Sequence, residues 1–132
     1  MASIFTRIMR GEIPCYKVAE NERAFAFLDI RPLMPGHTLV VPKAEVDNLY
    51  DLEDGDYQAV FELVREVAAA QKQEIPCTRI GLSVLGFEVP HAHVHVVPLR
   101  SEADLNFANP KLQLDPEEMK SIADRLHAAI GV

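Results

Sequence analysis

His91-Ala92-His93-Val94-His95-Val96-Val97 holds three of the chain's five histidines at alternate positions. An imidazole is both a metal ligand and a nucleophile near neutral pH, so three in step offer two chemistries: a metal site, or nucleophilic catalysis with helpers. The interleaved Ala92, Val94, Val96 and Val97 favour a strand, whose successive side chains alternate between faces. This spacing predicts His91, His93 and His95 on one face, with successive Cα atoms about 6.5–7 Å apart. Ala92, Val94 and Val96 then lie on the face behind and anchor the strand in a core.

Around that strand stands a chain of 132 residues, the length of one domain with a real core. Its formal net charge of −7 argues against a general nucleic-acid binder or a protein of anionic membrane surfaces. No apolar run has the length of a signal peptide or of a membrane span. Cys15 and Cys77 form no CxxC pair and read as small buried or half-buried residues, which suits a reduced cytoplasm.

Read in order, residues 3–11 predict a short helix, capped by Ser3 and followed by Gly11 in a left-handed turn. Ile4, Phe5, Ile8 and Met9 form its apolar stripe. Strands are expected over 15–19 and 24–28, joined by the polar turn 20–23, and over 37–42 between Gly36 and Pro42. A long helix over 54–73 carries Tyr57, Val60, Phe61, Val64, Ala68 and Gln71 at helical spacing and ends before Pro76. Strands follow over 78–84 and 92–99. Residues 100–114 are polar and irregular. A last helix opens at Asp115-Pro116 with a capping box completed by Glu118, and buries Met119, Ile122, Ala123, Leu126 and Ile130. His127 is expected at its surface. These pieces predict an α+β fold with a five-stranded, mainly antiparallel sheet, one long helix, a short N-terminal helix and a C-terminal helix. All 132 residues are expected to form one domain, with a core over 3–99 and an extension over 100–132.

Residues 91–97 match His-φ-His-φ-His-φ-φ, with φ apolar, and the match extends upstream. It takes in Ile4-Phe5 with Ile8, Arg10-Gly11-Glu12-Ile13-Pro14, Phe27-Leu28-Asp29-Ile30 with Pro32, and the run from Pro35-Gly36-His37 to Lys43. In combination these stretches resemble the histidine triad (HIT) superfamily of nucleotide hydrolases and transferases, in its Hint-like branch. The resemblance implies that His93 is the nucleophile and becomes transiently nucleotidylated. The carbonyl of His91 would accept from His93 Nδ1, leaving Nε2 to attack phosphorus. His91 and His95 would place donors on phosphate oxygens, and His37 would support the cluster. Asp29 would bind the ribose hydroxyls. Ile4, Phe5, Ile8, Phe27, Leu28, Ile30 and Leu39 would line the base site, and Ser83 stands where an asparagine is usual.

Two departures from the pattern carry chemistry. Phe87 and Glu88 replace the polar pair that usually precedes the triad, so Glu88 becomes a candidate proton donor or a contact for an amine leaving group. Some bacterial relatives hold structural zinc through an N-terminal CxxC and a histidine after the third strand. Here residues 2–6 have no cysteine and Glu45 stands near the missing histidine, so no structural zinc and no cofactor are expected.

The leading expectation is a hydrolase that acts at the α-phosphorus of nucleoside phosphoramidates or related purine nucleotide conjugates and releases a nucleoside monophosphate. Cleavage of dinucleoside polyphosphates is the near alternative. A metal-dependent enzyme or carrier built on the triad, and a nucleotide-binding regulator with little turnover, are the others. The resemblance also implies a homodimer that continues the sheet across its two-fold axis.

Overall fold

The computed structural model describes residues 2–131. Three helices, α1 (Ile4–Met9), α2 (Asp54–Glu74) and α3 (Pro116–Ile130), accompany five strands. The strands are β1 (Lys17–Glu20), β2 (Ala24–Leu28), β3 (Thr38–Pro42), β4 (Arg79–Ser83) and β5 (Val94–Leu99). Every pairing is antiparallel, in the order β1-β2-β3-β5-β4. The expected α+β architecture therefore holds, with the sheet wholly rather than mainly antiparallel. Strand β5 is inserted between β3 and β4, which places the histidine segment near the middle of the sheet.

The sheet has two different faces because strand side chains alternate. Ala24, Ala26 and Leu28 of β2, Val40 of β3, and Val94 and Val96 of β5 point into the main core. Helices α2 and α3 cover that face with Val60, Leu63, Val64, Val67, Met119, Ile122 and Leu126. Phe25, Phe27, Leu39 and Val41 point the other way and pack with Phe5 of α1. His95 pairs with Leu39 across β3 and β5, so it belongs to this second face.

Several local expectations need correction. Helix α2 buries Leu63, Val67 and Ala70 beside Val60, Val64 and Gln71, while Tyr57 remains exposed and Phe61 sits at the margin. With the sheet on one side and α3 on another, the helix buries a wider arc than a single 3,4,7 stripe. It stops at Ile75, whose extended backbone is the one favoured before Pro76. Asp115 occupies the N-cap of α3 but makes no side-chain capping bond, so the expected box with Glu118 does not form. Pro116 at the first helical position sets that start instead through its fixed φ. Ser3 caps α1 as expected, accepting from Thr6 N–H at 3.1 Å, and Gly11 takes a φ of 80° behind it.

Strand β5 begins at Val94, two residues later than expected. Ahead of it the Ala92 N–H donates to the Val46 carbonyl at 2.7 Å rather than to β3. The segment carrying His91 and His93 therefore leaves the sheet, and this decides where the three rings point.

Candidate active site

His93 Nδ1 lies 2.8 Å from the carbonyl oxygen of His91. A carbonyl only accepts, so Nδ1 carries the proton and Nε2 keeps its lone pair. The ring is buried to 7% exposure and forms part of the wall of a cavity of about 420 Å3. The Phe5 ring stands edge-on to it at 5.0 Å. In the neutral ring this bond selects one tautomer and leaves Nε2 free beside the cavity, an arrangement that suits a nucleophile.

His95 is set by a second chain of contacts. The Leu33 N–H donates to His37 Nδ1 at 3.0 Å, so that nitrogen is bare. Burial pushes the His37 pKa down to about 3, so the ring is neutral and its proton sits on Nε2. That Nε2–H donates to His95 Nδ1 at 3.0 Å. Burial also lowers His95, to about 4, and a neutral His95 must then carry its proton on Nε2. The result is a directed series in which His95, which lines the cavity, offers an N–H donor. Asp29 Oδ2 lies 3.7 Å from His37 Nε2, but with His37 neutral the two form no ion pair. Burial raises the pKa of Asp29, while the Arg31 backbone N–H bond opposes that rise.

The backbone ahead of β3 is shaped to present His37. Gly36 has a φ of 88°, and a Cβ there would lie 3.1 Å from Ile75 Cγ1. Its carbonyl accepts from the Gln71 amide at 2.9 Å, and the same amide donates to the Val96 carbonyl at 2.8 Å. A buried side chain of α2 thus ties the approach to His37 to the strand of His95.

His91 does not share this arrangement. Its ring is fully buried, with Nε2 at 2.8 Å from the Pro42 carbonyl and Nδ1 at 2.6 Å from Ser3 Oγ. Both nitrogens are engaged away from the cavity, so the expectation that His91 places a donor on a phosphate does not fit this geometry. The physical reason is the early end of the ladder: alternation between faces holds only within a paired strand. What His91 offers the site is its carbonyl.

Of the other expected residues, Ile4, Phe5, Asp29, Leu39 and Glu88 line the cavity with His93 and His95. Phe27 lies beneath them, edge-on to Phe5 at 5.6 Å and buried. Leu28 is turned into the main core on the opposite face of the sheet, so it cannot touch a ligand here. Ile8 borders a separate cavity with Met9 and Cys15. Ile30 is 71% exposed and outside the wall. Ser83 pairs with His95 across β4 and β5 but does not line the cavity.

The structure adds Arg31, Phe107 and Lys111, which sequence reasoning missed. Phe107 lies edge-on to His95 at 4.7 Å and to His37 at 6.2 Å. Lys111 Nζ holds the loop closed by donating to the Phe107 carbonyl at 2.6 Å and the Asn109 carbonyl at 3.2 Å. The Leu112 N–H donates to the Pro32 carbonyl at 2.8 Å and pins the segment beside the approach to His37. The extension is therefore a wall of the site. The one available signal was a phenylalanine, the sole aromatic residue of 100–114, four residues before a lysine.

Ligand atoms of Asp29, His37 and His95 lie within 4.8 Å of one another, the one such group among the described residues. A metal there would have to displace the proton that joins His37 to His95.

Residues 10–102 match the profile of the HIT domain. Adenosine 5'-monophosphoramidase hnt1 of Schizosaccharomyces pombe is 33% identical, over 98% of this chain and 99% of that protein. Among solved structures, a Hit-like protein from Bartonella henselae superposes with a TM-score of 0.82 at 30% identity, covering 96% of this chain and 95% of its own. A zinc-bound histidine triad protein from Mycobacterium smegmatis gives 0.81 at 28% identity, covering 98% and 94%.

Proposed function

We propose that this chain, which belongs to the HIT domain family, cleaves nucleoside phosphoramidates or related purine nucleotide conjugates at the α-phosphorus. The carrying observation is the 2.8 Å bond from His93 Nδ1 to the His91 carbonyl, which leaves Nε2 free to attack. In the first step Nε2 bonds to phosphorus and the bond to the leaving group breaks, the leaving group taking that bond's electron pair and a proton from solvent. His95 Nε2–H donates to a phosphate oxygen as charge builds, an interaction whose loss typically costs about 10²–10³ in rate. In the second step water attacks the phosphorus of nucleotidyl-His93 and gives up a proton to solvent, the P–N bond breaks with its electron pair returning to Nε2, and the nucleoside monophosphate leaves. Ile4, Phe5 and Leu39 receive the base, and the Asp29 carboxylate accepts from the ribose hydroxyls.

The name of the fission-yeast relative supports an amine leaving group, and Glu88 at the cavity wall suits one. A second reading, cleavage of dinucleoside polyphosphates, is favoured by Arg31 and Lys111, two cations on the same wall that suit an anionic leaving group. A two-fold dimer that extends the sheet would use the free edge of β4, where Leu82 is 46% exposed. Sedimentation would register it.

The deciding experiment compares wild type and His93→Ala on adenosine phosphoramidate and on a diadenosine polyphosphate, with acid quench to trap the adduct. We expect a nucleotidyl-protein in wild type, faster turnover of the phosphoramidate, and neither adduct nor turnover in the variant. Undiminished turnover in His93→Ala would refute the assignment. Tight binding of AMP without adduct or product would point to a regulatory nucleotide binder.

A further inference from the structure

Ser3 and His91 are 88 residues apart in sequence, and their side chains meet at 2.6 Å. His91 Nε2 faces the Pro42 carbonyl at 2.8 Å and so must hold a proton. Burial lowers the His91 pKa, which keeps the ring neutral and leaves Nδ1 bare. The Ser3 hydroxyl must therefore be the donor in their contact.

That hydroxyl is itself fixed from several sides. Ser3 Oγ accepts from the Thr6 N–H at 3.1 Å, the N-cap bond of α1. The Ser3 N–H donates to Glu45 Oε1 at 2.7 Å, and Thr6 Oγ1 donates to the same oxygen at 2.6 Å. With both hydroxyl protons committed, the 3.2 Å approach of Ser3 Oγ to Thr6 Oγ1 has no proton left to share. These two bonds hold the Glu45 carboxyl below its usual range and therefore charged. Glu45, just beyond β3, thus clamps the first turn of α1, and α1 clamps His91. From His91 one step remains, because its carbonyl receives His93 Nδ1–H at 2.8 Å. The ring of Phe5, on the same first turn, touches both histidines, with centroids 5.6 Å from His91 and 5.0 Å from His93.

We propose that Ser3, Thr6 and Glu45 are positioning residues for the nucleophile: they lock the His91 ring so that its carbonyl sets the tautomer and aim of His93. The inference rests on His93 being the nucleophile. None of the three lines the cavity beside His93, so their own side chains make no contact with a substrate there. A small misalignment of reacting atoms is enough to cost about 10²-fold in rate.

The test compares Ser3→Ala, Ser3→Asp and Ser3→Thr, with His93→Ala as control. Asp still caps a helix but cannot donate to a bare Nδ1, which separates capping from positioning. We expect Ser3→Ala and Ser3→Asp to lower kcat about ten- to a hundredfold with KM within about twofold, and Ser3→Thr to restore it. Nitrogen-15 spectra should show His91 protonated on Nε2 alone in wild type, as a donating Ser3 hydroxyl requires. Wild-type kcat in Ser3→Ala and Ser3→Asp, beside an inactive His93→Ala, overturns the positioning role and leaves the nucleophile standing. Turnover by His93→Ala overturns both.

Discussion

His37 Nε2 stands 3.0 Å from His95 Nδ1, and the proton in that contact belongs to His37 because the Leu33 N–H occupies its other nitrogen. One backbone amide thereby decides which nitrogen of His95 is a donor at the cavity. Replacing His37 by Ala should let His95 exchange between tautomers and lower kcat about tenfold or more. His37→Gln, which keeps an amide donor for His95 Nδ1, should lose less. Nitrogen-15 spectra of His95 give the tautomer directly, and an unaltered spectrum in His37→Ala would refute the relay.

The same burial makes the fold sensitive to mild acid. His37 and His95 titrate at about 3 and about 4 in the native chain, against 6.5 ordinarily. As pH falls through the ordinary value the unfolded chain takes up protons that the native chain does not. Stability is therefore fully present above that value and declines with acidification toward the native values. The Tm should fall between about pH 7 and 5.5, above most carboxylate titrations, and fall less in His37→Gln. A Tm flat across that window would contradict the burial of these rings in solution.

Phe107 covers His95 at 4.7 Å, and burial is the leading cause of the low His95 pKa. Phe107→Ala should let water reach the ring and raise that pKa from about 4 toward its ordinary value. An NMR titration of His95 reads this without any substrate. If the pKa does not move, the 100–114 segment is not the cover it resembles.

Glu88 and the pair Arg31 and Lys111 line one cavity with opposite charges. Glu88→Gln should slow turnover of an amine-releasing substrate several-fold more than that of a polyphosphate. Arg31→Ala should do the reverse. Equal losses on both substrates would rule out leaving-group recognition by these residues.

Gln71 is fully buried and its amide serves the carbonyls of Gly36 and Val96 together. Gln71→Leu removes that donor, while the Gly36 carbonyl keeps the Thr38 hydroxyl at 2.8 Å, and should cost about 1 kcal/mol in urea unfolding. A midpoint equal to wild type would show that neither bond matters to the fold.

Much of the architecture was legible in the chain because it depends on local rules. Apolar runs bounded by turn residues give the strands over 24–28 and 38–42, a 3.6-residue period gives α2 and α3, and Ser3, Gly11 and Pro76 punctuate them. The His93 tautomer was accessible through resemblance, since its partner is only two residues away. The stripe of α2 was misread because the width of a buried arc depends on how many neighbours a helix has.

What the tertiary structure alone decided are the hydrogen bonds between distant residues. Period-2 alternation assigned His91 to the cavity, yet the ladder starts at Val94 and the ring turns to Ser3 and Pro42. Leu28 looked like a base contact until the sheet placed it on the helix-covered face. Phe107 and Lys111 carried no periodic signal, because a loop wall is defined by what it packs against. Residue type and spacing settle which chemistry is available. Which nitrogen holds the proton depends on an acceptor or donor brought in by the fold, and that pairing has no sequence period to read.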